Sequence, residues 1–101
     1  MKVVYAERAR QDLSEIYAAI AERSETSARR VERFIRDACE ALADFPFASA
    51  ATDEANVRRV PLVRYPYTVF FRIDGAQQQV QIARVLHGAR IKDLGSLPVD
   101  E

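Results

Sequence analysis

The period of apolar positions changes along the chain. Lys2-Val3-Val4-Tyr5 is short, β-branched and aromatic, which predicts a strand. From Glu7 the period lengthens. Ala9, Leu13, Ile16, Tyr17 and Ile20 fall on one helix face, and Glu7, Arg10, Asp12, Glu15 and Glu22 fall largely on the other. Ala6 is a poor N-cap. Ser24-Glu25-Thr26-Ser27 breaks the pattern and offers cap oxygens to a second helix. In that helix Ala28, Val31, Phe34 or Ile35, Ala38, Leu42 and Phe45 repeat at helical spacing. Pro46 stops it by disfavouring the helical conformation at Phe45. Residues 47–56, FASAATDEAN, have no period and read as a loop.

The second half favours strands. Val57 to Leu62 is a strand whose Pro61 suggests an edge or a bulge. Arg64-Tyr65-Pro66-Tyr67 marks a change of direction, and Thr68 to Ile73 is strongly β-favouring. Asp74-Gly75 signals a turn. From Gln79 to Leu86 the alternation puts Val80, Ile82 and Leu86 on one face with Arg84, the one charge in an apolar row. The tail from about residue 91 is irregular.

The expected order is βααβββ, an α+β fold in a single domain over residues 1–101. The three late strands form an antiparallel sheet that the first strand joins. Each helix has one apolar stripe, so the N-terminal helical hairpin packs on one face of that sheet. The other face carries many of the arginines.

Composition alone says little: 101 residues, 49% apolar and 30% charged, describe an ordinary globular domain. One cysteine, Cys39, excludes an internal disulfide framework and reads as packing in the second helix. Charges arrive too early for a signal peptide, and no apolar run approaches the ~20 residues that cross a bilayer. A reducing cytoplasmic location with no membrane contact fits.

Charge changes the picture more. Fifteen basic and fifteen acidic residues cancel. Yet residues 1–57 carry −3 and residues 58–101 carry +3, with +6 between Arg58 and Lys92. A local cationic field attracts a phosphate backbone or an acidic peptide whatever the total charge. The alternative is that the helices fold over these cations and neutralise them.

Candidate binding residues are therefore Arg58, Arg59, Tyr65, Tyr67, Arg72, Arg84, His87 and Arg90. His87-Gly88-Ala89-Arg90 follows the last strand directly. Its imidazole can move a proton near neutral pH, and its guanidinium can grip a phosphate or carboxylate. The competing reading is a strand-ending turn with Arg90 paired to a helix carboxylate. Tyr65-Pro66-Tyr67 offers an aromatic surface, or closes the core. Arg72 lies in mid-sheet and is either paired or faces a groove. The sequence has no nucleophile–base pair, phosphate loop or metal-ligand cluster, and one His is too few for a typical zinc site. No cofactor is expected.

Tyr5 to Ile20, the Phe45-Pro46 stop, Arg59-Val60-Pro61, Tyr67 to Arg72 and above all Arg84-Val85-Leu86-His87-Gly88-Ala89-Arg90 resemble the RelE/ParE toxin superfamily, in order and over nearly the whole chain. The last stretch is typical of ParE-like, plasmid-stabilisation toxins. The resemblance implies the toxin of a type II toxin–antitoxin module, held inactive by a cognate antitoxin in a hetero-oligomer of two toxins and two antitoxins. ParE-like members poison DNA gyrase, and RelE-like members cut mRNA on the ribosome. Thr68 stands where ribosome-dependent relatives tend to carry an arginine, which favours a non-enzymatic gyrase inhibitor. The alternative is a metal-independent endoribonuclease using Arg72, Arg84, His87 and Arg90. A second alternative is a non-toxic module that only binds the antitoxin.

Overall fold

The computed structural model describes residues 1–45, 50–51 and 56–88; Pro46, Arg90, Lys92 and the tail lie outside the described residues. β1 (Lys2–Tyr5) leads into α1 (Glu7–Ala21) and α2 (Glu25–Ala41), then β2 (Ala50–Ala51), β3 (Arg58–Pro61), β4 (Tyr67–Asp74) and β5 (Gln79–His87). The helical hairpin turns on Glu22, Arg23 and Ser24. Ser24 is extended, with φ −159°, and its hydroxyl accepts from the Ser27 N–H at 3.1 Å, so α2 starts on a capped turn. Ala6 provides no such cap for α1.

The strands lie in the order β1-β5-β4-β3-β2. β3, β4 and β5 form the expected antiparallel meander. β1 joins it in parallel beside β5, from Lys2 opposite Gln79 to Tyr5 opposite Ile82, so the sheet is mixed rather than antiparallel throughout. A parallel neighbour needs a long connection, and here it runs through α1 and α2 to β2 at the far edge of the sheet and back through β3 and β4 to β5. Pro61 fits as expected. Leu62 N–H donates to the Tyr67 carbonyl at 2.9 Å, so the missing Pro61 N–H falls on the other edge of β3, past the end of β2.

Three expectations need correction. The loop 47–56 contains β2, which pairs Ala50 with Arg59 and Ala51 with Arg58. This pairing is made by backbone groups, so two alanines give no periodic signal. Phe45 lies beyond α2 and is 69% exposed rather than part of its apolar stripe. The regular alternation of β5 fails at Ala83. Phe71 opposes Ile82 and Phe70 opposes Arg84, which leaves Ala83 as an extra residue in a β-bulge. Beyond it the faces exchange. Val80, Ile82 and Val85 join the helix-side core, and Ala83 and Leu86 join a second cluster.

The main core lies between the hairpin and the sheet. Ala9 and Leu13 of α1 and Val31, Ile35 and Cys39 of α2 pack with Val69, Phe71, Val80 and Ile82. The second cluster holds Val57, Phe70, Ala83 and Leu86, on the opposite side of the sheet by strand alternation, and all four are buried. Arg58 and Arg59 divide between the faces as expected; Arg59 is exposed and Arg58 half-buried. Among the described residues, no helix is long and apolar enough to cross a membrane.

Cys39 is fully buried, and burial pushes its thiol from an ordinary 9.0 up to about 12. Burial, and then the neighbouring Cys39, also push the Tyr5 hydroxyl upward; the Arg36 guanidinium lies 5.2 Å from its ring centre. Both groups ionise more readily in the unfolded chain. The stability they contribute is complete below about pH 9 and is lost as pH rises toward about 12. Melting curves should therefore show Tm falling between about pH 9 and about pH 12, with a smaller fall in Tyr5→Phe. An unchanged Tm over that range would contradict the assignment.

Candidate functional site

Asp12 organises one end of the molecule. β1 leaves the sheet after Tyr5, and the Ala6 N–H makes the last of these contacts, donating to the Ile82 carbonyl at 2.9 Å. Past that point β5 has no strand on its β1 side, and α1 lies there instead. The Val85 N–H donates to Asp12 Oδ2 at 2.9 Å, so a side chain takes the place of the missing strand. Arg84 completes the arrangement. Its Nε donates to Oδ2 at 2.8 Å and its Nη2 to Oδ1 at 3.0 Å. Asp12 is 5% exposed and Arg84 2%. Removing these charges from water is tolerable because the two-point pairing and the backbone donor satisfy the carboxylate in three directions.

This corrects two expectations. Asp12 does not belong to the polar face of α1, and Arg84 is buried against Asp12 rather than exposed on the sheet. Its Nε and Nη2 are committed to Asp12, and a phosphate could take them only by leaving a buried carboxylate uncompensated. The sequence holds a signal for this. Ala9, Asp12, Leu13 and Ile16 follow the spacing i, i+3, i+4, i+7, which places Asp12 inside the apolar stripe. A lone acid in one apolar row and a lone base in another are natural partners.

Tyr67 and His87 face each other across the ends of β4 and β5, with ring centres 5.5 Å apart and planes at 85°. The Gly88 N–H then donates to the Pro66 carbonyl at 2.8 Å and prolongs the pairing by one residue. Between this pair and α1 is a cavity of about 170 Å³, walled by Ile16, Ala19 and Val85 and edged by Glu15. His87 is exposed. Burial raises Tyr67, so its phenol stays protonated at neutral pH and can donate as well as accept. The site thus offers an apolar slot with an imidazole and a phenol at its mouth.

The remaining candidates lie elsewhere. Tyr65 packs edge-on against Phe34 of α2, with ring centres 5.1 Å apart, and the Arg64 guanidinium lies 5.8 Å from its ring centre. It ties the turn between β3 and β4 to the hairpin. Arg72 is half-buried and opposite Gln81. Strand alternation places it with Phe70 on the second face, diagonal to Arg59, whereas Tyr67 belongs to the helix side. Five residues of strand, about 17 Å at ~3.4 Å each, separate Arg72 from the Tyr67–His87 pair. Arg72, Arg84 and His87 are therefore not brought around one point. Among the described residues, no group of three or more His, Cys, Asp or Glu side chains could hold a metal ion.

Residues 3–92 match the family described as ParE toxin of type II toxin-antitoxin system, parDE. Solved structures repeat the fold. A chain of the chromosomal ParDE system of P. aeruginosa superposes with TM-score 0.75 at 23% identity, covering 86% of this chain and 95% of that one. A chain of the Mycobacterium tuberculosis toxin-antitoxin complex RelBE2 gives 0.63 at 21% identity, covering 85% and 95%. The isolated E. coli RelE toxin gives 0.58 at 10% identity, covering 94% and 96%. No curated protein matches the sequence. The family match spans every helix and all but the first residue of the sheet, and on that ground the chain belongs to the ParE toxin family of type II toxin–antitoxin systems.

Proposed function

We propose that this toxin acts without catalysis, by inhibiting DNA gyrase in the cytoplasm, and that a cognate antitoxin holds it inactive in a hetero-oligomer. The observation that carries this reading is the sealing of Arg84 by Asp12. Cleavage of RNA by its own 2′-hydroxyl needs an acid, a base and cations around one scissile phosphate. With Arg84 committed and Arg72 on another face from the Tyr67–His87 pair, the described part of that set does not converge. An inhibitory surface has no such requirement. Arg58, Arg59, Tyr65, Tyr67, Arg72 and His87, with Arg90 beyond the described residues, would then act as separate contacts to gyrase or antitoxin. The likeness in fold to chains of a ParDE system and of a RelBE2 toxin-antitoxin complex supports the antitoxin partner.

Purified, antitoxin-free toxin is expected to block gyrase supercoiling and trap a cleaved gyrase–DNA complex. Untouched gyrase, with codon-positioned cuts in primer extension on mRNA from toxin-expressing cells, would instead establish the ribosome-dependent nuclease. Expression that slows no growth would indicate a module that only binds the antitoxin.

A further inference from the structure

We infer that the outer edge of β1 pairs with the same edge of a second copy of this chain, antiparallel about a two-fold axis at Val4. The Lys2 N–H donates to the Gln78 carbonyl and the Ala6 N–H to the Ile82 carbonyl, each at 2.9 Å. The even-numbered residues of β1 therefore turn their backbone groups toward β5, its parallel neighbour. Backbone direction alternates along such a ladder, so the N–H and C=O of Val3 and of Tyr5 point the other way. β1 is the last strand on that side of the sheet. Among the described residues, no hydrogen bond reaches these four groups. An open edge of this kind is a template for another strand. β1 has no proline and no bulge to blunt it, and Lys2 is its only charge.

The register selects the occupant. With the axis at Val4, Val3 lies opposite Tyr5 of the second copy, and Tyr5 lies opposite its Val3. Residues so opposed exchange both backbone bonds, which satisfies every outward group of both strands. The ends carry complementary charge. Lys2 meets Ala6 of the second copy, one position from its Glu7, and the same contact recurs at the other end. Lys2 and Glu7 are exposed, and among the described residues no ion pair reaches either. Ala6 is still extended, with φ −65° and ψ 156°, which keeps the start of α1 in line with the edge. The Met1 ammonium donates to the Ala43 carbonyl at 3.2 Å, so the end of α2 flanks the start of β1. Met1 and Phe45 are exposed apolar side chains on these two segments. Any extended peptide can supply backbone bonds, but this strand supplies the matching length and the matching charges to itself.

Sedimentation equilibrium of the purified, antitoxin-free chain is the test. The mass should rise from 11.4 kDa toward twice that value with concentration. A short edge of this size should give a Kd on the order of micromolar. Glu7→Lys should weaken the dimer about tenfold, because a lysine then meets Lys2 at both ends. Adding Lys2→Glu exchanges the two charges and should restore the affinity to within about threefold of the parent. Val3→Pro removes an N–H that β5 does not use, and proline is tolerated on an edge of this kind, so the variant should fold and stay monomeric. Circular dichroism should show parental helix content in all three. A parent that is monomeric at every concentration overturns the inference. A dimer that persists unchanged in both Val3→Pro and Glu7→Lys lies on another surface and overturns it too. Protection of the Val3 and Tyr5 amides from hydrogen exchange only when the antitoxin is added would give the edge to that protein instead.

Discussion

Asp12→Ala is expected to lower stability by about 3–5 kcal/mol, the usual cost of leaving one member of a buried ion pair alone. The substitution strands the Arg84 guanidinium in the interior and removes the acceptor of the Val85 N–H. In a domain of this size ~1 kcal/mol moves Tm by roughly 4–8 °C, so the variant should melt at least about 12 °C below the parent. Urea unfolding gives the same quantity independently. The double variant Asp12→Leu, Arg84→Met separates the two contributions. An apolar pair in place of a buried ion pair is often neutral, so most of the loss should return. The Val85 N–H still lacks a partner there, and about 1–3 kcal/mol should remain lost. A single variant that melts within 2 °C of the parent would show that the pair holds nothing together. Arg84→Met has a functional corollary: on the proposed gyrase reading, inhibition per folded molecule should change little, because the Arg84 guanidinium is buried against Asp12.

The second large effect concerns the two neighbouring phenylalanines of β4. Phe70 and Phe71 are both fully buried, yet they belong to different clusters on opposite faces of the sheet. A sheet covered on one face only would make one of these positions tolerant. Here Phe70→Ala and Phe71→Ala should each cost about 3–5 kcal/mol, as cavity-forming truncations of buried aromatics do. Together they approach the roughly 5–15 kcal/mol of a whole domain, so the double variant should fail to fold. Urea midpoints of the single variants are the measurement. A cost below about 1 kcal/mol for Phe70→Ala would show that Val57, Phe70, Ala83 and Leu86 form no core of their own.

The elements that repeat a side-chain pattern were legible before any coordinates. The stripe of α1, the Ser24 cap of α2 and the β-branched run of β4 each declare themselves within a few residues. What stayed hidden depends on the partner strand or helix. The bulge at Ala83 is visible only by counting β5 against β4, and it moves Leu86 away from Val80 and Ile82. β2 is a backbone pairing of two alanines. The Asp12–Arg84 pair spans 72 positions. The candidate site shows the same division. Residue types singled out Tyr67 and His87, and register joined them. The same types singled out Arg72, and strand length carried it away. Arg29, Arg33 and Arg36 share one side of α2, and the acids of the same helix mask them in the sum of charges.

The place of β5 also sets the order of events as the chain is made. The last described strand lies between β1 and β4, inside the sheet rather than at its edge. β1 is synthesised first and has no sheet neighbour until residues 79–82 exist. Leu42 of the hairpin precedes His87 by roughly 45 residues. At ~5–20 residues per second, the apolar stripes of α1 and α2 wait about 2–9 s for the sheet that covers them. A chain released early would end without the strand that closes both cores and meets Asp12. Termination before β5 therefore removes both cores together rather than trimming one edge of the sheet.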